Sequence, residues 1–327
     1  MGTNYGETHY FIYLTMNQSN SLTSTFPVSF ELPANPSLYS LMSISLSTLF
    51  HAPFNRKRRL FALCRFVYWK WIRLCKMNDV PYKIWDNKKI LLNHDSFQCM
   101  WIMYNYIVDW EEFFLIKHYL QPNDTVADVG ANMGFYTIWM SKFIGPNGKI
   151  FSFEPDALNY QRLQKNVAIN HLSTPVTIVQ KGVSCVSGVS AFTKGLDGEN
   201  HIALTRQHGT VDIETVTLDE YMHTNQVQNL AYVKVDVEGF ELAVIKGACN
   251  YMKGKKIKIL QLEINQTLQN SGTQIQDLLE AVAKYNYTLC QFDIDKRLLV
   301  PINYNPSREN YFAVADLEEA NQRMREQ

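Results

Sequence analysis

Three carboxylates sit where apolar runs should end as strands. Asp236 and Glu238 lie in KVDVEGFE, residues 234–241, and Glu263 lies in LEIN, residues 262–265. A carboxylate that closes a buried strand needs a partner or a task. Acids so placed can take the proton from a hydroxyl nucleophile. Asp236 and Glu263 can equally hold a divalent cation, which prefers carboxylate oxygen. Glu241 stands at a helix start, where completing the cap or the dipole is an adequate role. Transition metals find no matching pattern, because the chain contains no H-x-x-H or C-x-x-C.

A second constellation is VADVGANMGFYT, residues 126–137, followed by KIFSFEP, residues 149–155. It reads as strand, glycine turn, helix, strand and acidic tip, which is how an open α/β sheet holds a nucleoside-containing cofactor. A dinucleotide fingerprint needs G-x-G-x-x-G. Here Asn132 and Phe135 stand where the second and third glycines belong, and no Gly-Lys-Ser/Thr follows. A nicotinamide-dependent oxidoreductase is therefore the weaker alternative. S-adenosyl-L-methionine, which carries no phosphate, fits better. Gly130 and Gly134 permit the turn and close backbone approach. Asp128 and Asn132 can bind the amino-acid part, and the Glu154 carboxylate can accept both ribose hydroxyl protons.

The elements that must position these residues alternate. Strands are expected at 125–129, 149–153, 176–180, 232–237, 256–262, 288–292 and 310–314, and helices at 133–143, 157–170, 241–248 and 275–285. That rhythm implies an α/β, mainly parallel, doubly wound sheet with ligands beyond the strands' carboxyl ends. Residues 188–217 read as a small antiparallel excursion carrying His201 and His208. Either could be a base, although loop histidines are usually only solvated. Residues 82–92 read as a hairpin turning at Asp86 and Asn87. Trp101, Tyr104 and Tyr106 can stack on a ligand, but packing between the N-terminal region and the sheet is the simpler expectation.

The 327 residues carry 31 cationic and 31 acidic side chains, which removes any global electrostatic case for a nucleic-acid partner. Six scattered cysteines are expected to be reduced thiols, consistent with a cytoplasmic protein. No apolar run is long enough to span a membrane. Residues 1–55 hold no Lys or Arg and read as poorly ordered or loosely packed. Residues 56–76 hold no acid and read as a basic amphipathic helix. Its stripe of Leu60, Phe61, Cys64, Val67, Tyr68, Trp71, Ile72 and Cys75 is expected to pack on the main domain, with peripheral contact to an anionic membrane as the competing reading. The organisation expected is thus 1–55, a helical and hairpin region 56–120, a catalytic domain 121–316 and a tail 317–327.

The motifs DVGANMGFYT (128–137), FSFEP (151–155), VTLDE (216–220), KVDVEGFE (234–241) and LEIN (262–265) together resemble the FkbM-type S-adenosylmethionine-dependent methyltransferases in order and spacing. The resemblance covers about residues 80–315. It implies a class I, Rossmann-like doubly wound sheet of seven strands, the last antiparallel, here with an N-terminal helical and hairpin extension. It further implies methyl transfer to an oxygen, often on a sugar, glycolipid or secondary metabolite, with a small-molecule, glycan or glycolipid acceptor as partner. The cofactor residues implied are Asp128, Gly130, Asn132, Gly134, Tyr136, Thr137, Glu154, Pro155, Gly182, Val183 and Asp236. The catalytic candidates are Asp236, Glu238 and Glu263. An RNA methyltransferase is a weaker alternative, since residues 56–76 are the one marked basic cluster.

Overall fold

The computed structural model describes residues 9–11, 29–31, 49–50, 54–107, 109–196, 200–206 and 208–326. The expectation for residues 1–55 falls largely outside them. β1 (His9–Phe11) and β2 (Ser29–Glu31) form a short antiparallel ladder. α1 (Arg59–Leu74) precedes the hairpin of β3 (Val80–Lys83) and β4 (Lys89–Leu92). Asp86 and Asn87 both take positive φ at its tip, as a tight hairpin turn requires. α2 (Phe97–Asn105) is capped by Ser96, and α3 (Trp110–Tyr119) completes the extension.

The alternating part follows: β5 (Thr125–Val129), α4 (Phe135–Ile144), β6 (Lys149–Phe153), α5 (Ala157–Asn170) and β7 (Val176–Val179). β9 (Gly188–Thr193) and β10 (Thr210–Val216) make the expected antiparallel excursion, and β8 (Gly182–Val183) adds an unexpected third strand, parallel to β10. Then come α6 (Leu218–Thr224), β11 (Leu230–Val235), α7 (Glu241–Gly247), α8 (Cys249–Lys253) and β12 (Ile257–Glu263). α9 (Ile275–Lys284), β13 (Thr288–Asp293), β14 (Leu298–Pro301), β15 (Asn310–Val314) and α10 (Leu317–Arg325) close the fold.

The main sheet has the order β14-β13-β15-β12-β11-β5-β6-β7. β15 runs antiparallel between β12 and β13, and β7, β6, β5, β11 and β12 pair in parallel. These are the seven expected strands; β14 adds an eighth at the edge by a hairpin with β13. All six residues of β11 are buried, as in a central strand covered on both faces. Alternate residues face opposite layers. Val126, Ile150, Tyr232 and Ile259 pack with α1–α4, whereas Ala127, Phe151, Val233 and Leu260 pack with α6–α9. The sheet's direction of growth reverses at β5, which has β6 on one side and β11 on the other. The crevice beyond such a reversal is where doubly wound sheets bind ligands.

α1 corrects one expectation. It buries Ala62, Arg65, Trp69 and Ile72, whereas most of the predicted stripe faces solvent. The reason is Arg65, whose guanidinium donates to Met103 O at 2.9 Å and to Asn55 Oδ1 at 2.5 Å. Those bonds, with the small Ala62 beside them, select the face that meets α2. Tyr104 is buried against Phe66, and Tyr106 stacks on Phe54 at 4.3 Å. Both aromatics thus serve packing within the extension. All six cysteines are free thiols. Among the described residues no helix is long and apolar enough to cross a membrane.

Candidate active site

The loop after β5 is shaped by two glycines. Gly130 has φ +78°, and a Cβ there would stand 1.8 Å from Asp236 O. Gly134 has φ +91°, and a Cβ there would stand 2.4 Å from Leu163 Cδ1 of α5. The first lets the loop touch the end of β11; the second lets it touch α5. Gly134→Ala is expected to lower stability by about 1–3 kcal/mol, from forced positive φ together with displacement of Leu163. The urea midpoint reads this directly; an unchanged midpoint would show that the loop relaxes freely.

Every N–H from Gly130 to Gly134 is already bonded within the protein. Gly130 and Ala131 donate to Phe153 O, Asn132 to Glu154 Oε2 at 2.7 Å, Met133 to Asn132 Oδ1, and Gly134 to Ala131 O. Glu154 also accepts from Asp156 N at 2.8 Å through its other oxygen. Burial pushes its carboxyl up to about 8, against the pull of those two N–H groups. Each of its oxygens keeps a further lone pair for a hydroxyl donor. Pro155 is half-buried between Glu154 and the Asp156 cap of α5.

Asp128 is fully buried. Its Oδ2 accepts from Thr137 Oγ1 at 2.6 Å, while Oδ1 has no hydrogen-bond partner. Lys234, on neighbouring β11, reaches toward it at 3.9 Å and bonds Asp236 Oδ2 at 2.9 Å and Gly130 O at 3.3 Å. Its ammonium also lies 4.8 Å from the centre of the Tyr136 ring. Burial opposes the charged lysine, but Asp236 and Asp128 outweigh it and hold its pKa above the ordinary value. Tyr136 in turn donates to Asp109 Oδ2 at 2.7 Å.

Asp236, Glu238 and Glu263 come together, with carboxylate oxygens all within 4.8 Å of one another. Asp236 and Glu263 are hydrogen-bonded, and Asn265 Nδ2 donates to Glu263 Oε1 at 2.9 Å. Burial raises the Asp236 carboxyl, but the Lys234 ammonium more than offsets this and holds it below the usual range. Burial, then repulsion from Asp236 and Glu238, drives Glu263 well above the carboxylate range. The pair therefore shares one proton, carried by Glu263. Glu238 sits at φ +52° on the turn. Glu241 accepts from Val237 N and Gly239 N at 3.2 Å each, so it braces the loop as a cap.

The remaining candidates belong to β8 and to the segment between β9 and β10. Gly182 and Val183 are buried in the β8–β10 pairing. His201 stacks on Phe240 at 6.3 Å, and His208 is exposed.

Residues 128–289 match the family described as the methyltransferase FkbM domain. These residues are an FkbM methyltransferase domain. The chain is 29% identical over 150 residues to the hexuronic acid methyltransferase AglP of Haloferax volcanii, covering 45% of this chain and 59% of AglP. It is 27% identical over 195 residues to the methyltransferase sdnD of Sordaria araneosa, covering 49% of this chain and 73% of sdnD. A solved FkbM methyltransferase from Methylobacillus flagellatus superposes with a TM-score of 0.38 at 15% identity, covering 59% of this chain and 43% of that one. The chain thus spans less than two thirds of AglP.

Sequence reasoning missed two residues of the FkbM domain's surroundings. Lys234 was readable in principle, because a lysine inside the run LAYVKV cannot be buried without acids nearby. Asp109 had no such signal, since it enters from the segment between α2 and α3 and meets Tyr136 only through the tertiary fold.

Proposed function

We propose that the chain is an S-adenosylmethionine-dependent methyltransferase that methylates a hydroxyl of a small molecule, glycan or glycolipid. One observation carries the choice of cofactor. The β5–α4 loop has spent all its N–H groups on internal acceptors, one of them the Glu154 carboxylate. A pyrophosphate needs such N–H groups free. It would also meet a carboxylate, so the nicotinamide alternative is disfavoured. A donor without phosphates meets neither obstacle. Glu154 retains lone pairs for ribose hydroxyls. Asp128 Oδ1 accepts no hydrogen bond and has only the Lys234 ammonium at 3.9 Å, which leaves it a buried acceptor suited to the ammonium of a methionine moiety.

When bound, the cofactor supplies an electrophilic methyl group. The chain's own residues align the acceptor and receive its proton. Asp236, kept ionised by Lys234, is the proton acceptor. A hydroxyl becomes strongly acidic as its oxygen is alkylated, so a carboxylate of low pKa suffices. Glu263, carrying its own proton and anchored by Asn265, hydrogen-bonds Asp236 and fixes its direction. Lys234 already supplies the positive charge beside Asp236. The trio is therefore assigned to proton handling rather than to a divalent cation. The name of AglP makes a sugar acid or its glycan the first acceptor class to test.

Titration with S-adenosylhomocysteine and, separately, with NAD checks the cofactor. Binding of the former alone is expected, weakened up to about tenfold in Glu154→Gln, whose amide replaces one acceptor oxygen with a donor. Binding of NAD alone would overturn the reading. Labelled S-adenosylmethionine with fractionated extract should then mark lipid or glycan; label entering only nucleic acid would instead support the RNA methyltransferase alternative.

A further inference from the structure

α1 presents two opposed faces. Ala62, Arg65, Trp69 and Ile72 enter the core. On the other side Leu60, Leu63, Val67, Trp71 and Leu74 follow one another at three- and four-residue spacing, which places them in one stripe along the helix. They are 81, 37, 59, 49 and 82% exposed. Cys64 and Cys75 are exposed in the same arc. Scattered exposed apolar residues are ordinary, but a contiguous stripe of them marks an interaction surface.

The charge around the stripe tells what it meets. Residues 56–76 contain Arg56, Lys57, Arg58, Arg59, Arg65, Lys70, Arg73 and Lys76 and no acid, in a chain whose net charge is zero. Of these, Arg65 is buried under the helix, whereas Arg56, Lys57, Arg58 and Arg59 form an exposed cluster at its start. Lys70 lies beside the stripe with its ammonium 5.3 Å from the Phe66 ring. An apolar ridge carrying a tryptophan, with Lys70 beside it, a basic cluster at its start and no acid in residues 56–76, is the pattern of a helix that lies in a lipid interface. Anionic headgroups complement the cations, and the ridge enters the acyl boundary.

We propose that α1 and the basic cluster before it form a docking surface for an anionic lipid bilayer, which the protein binds peripherally and reversibly. The inference does not depend on the reaction proposed above.

Co-sedimentation of the full chain with vesicles tests it. Phosphatidylcholine vesicles are compared with vesicles that also contain phosphatidylglycerol. Partition onto the anionic vesicles is expected to be at least about tenfold higher and to fall as salt is raised. Val67→Asp/Leu74→Asp should remove about tenfold or more of that partition, and Lys57→Glu/Lys70→Glu should remove its salt sensitivity. These positions are exposed or at the rim of the helix, so circular dichroism should show both variants folded. Equal binding to both vesicle types would overturn the proposal. So would unaltered binding of the Val67→Asp/Leu74→Asp variant. Loss of a wild-type dimer in that variant, without vesicle binding by either, would assign the stripe to a second copy of the chain and equally overturn it.

Discussion

Lys234→Met is expected to lower the stability of the fold by about 3–5 kcal/mol, the cost of removing one partner from a buried ion pair. The lysine is buried within β11 and serves Asp236, Asp128 and Gly130 O together. Methionine matches its length and removes its charge, so packing is largely kept while two acids lose their cation. The pH dependence separates this cause from simple misfit. In the wild type the folded pKa of Asp236 lies below its unfolded value. Its contribution to stability is therefore present above the unfolded pKa of about 3.9 and is lost as pH falls through the depressed folded value. Burial already holds the Asp128 carboxyl above its usual range in the wild type, and without Lys234 it raises Asp128 further and raises Asp236 too, so both oppose folding more at neutral pH and cease to do so once protonated. The difference in urea midpoint between wild type and variant should be largest near neutrality and shrink toward about pH 4. A pH-independent difference would mean that shape, not charge, is what Lys234 supplies.

Those same contacts show what a sequence can and cannot disclose. The strands that carry the site were legible because each is a short apolar run punctuated by a turn. Gly145, Pro146, Asn147 and Gly148, for instance, separate α4 from β6. Asp128, Glu154, Asp236 and Glu263 were legible because each closes such a run, and a parallel sheet brings strand ends to one side. The use of their oxygens was not legible. That Glu154 takes the Asn132 N–H, or that Asp236 and Glu263 share a proton, depends on separations of a few ångströms between distant segments. The face chosen by α1 was misread for a related reason. Periodicity weighs hydrophobicity alone, whereas a buried Arg65 with acceptors at Met103 O, Tyr104 O and Asn55 Oδ1 is stable. The apolar stripe was then free to face outward. β14 lay in the one region where a hairpin, Asp293 to Leu298, was hidden among charged turn residues.

Asp236→Asn is expected to slow methyl transfer by about 10²- to 10⁴-fold, the usual contribution of a positioned general base. Asparagine keeps the size of the side chain and can still meet Lys234 with its carbonyl oxygen, so the fold should persist. What it loses is the capacity to hold the hydroxyl proton. The pH profile distinguishes Asp236 from its neighbour. With Asp236 held below the carboxylate range by Lys234, the wild-type rate should stay flat across the neutral region on the acid side. Were Glu263 the base, its carboxyl, driven well above that range by burial and by Asp236, would make the rate climb with pH instead. Glu263→Gln supplies the complementary reading. The amide can still donate to Asp236, so a loss of under about tenfold is expected, whereas Glu263→Ala, which removes the donor, should cost more. A wild-type rate that climbs through neutrality, together with a Glu263→Gln defect as deep as that of Asp236→Asn, would move the proton from Asp236 to Glu263 and leave Asp236 as the charge that keeps Glu263 basic.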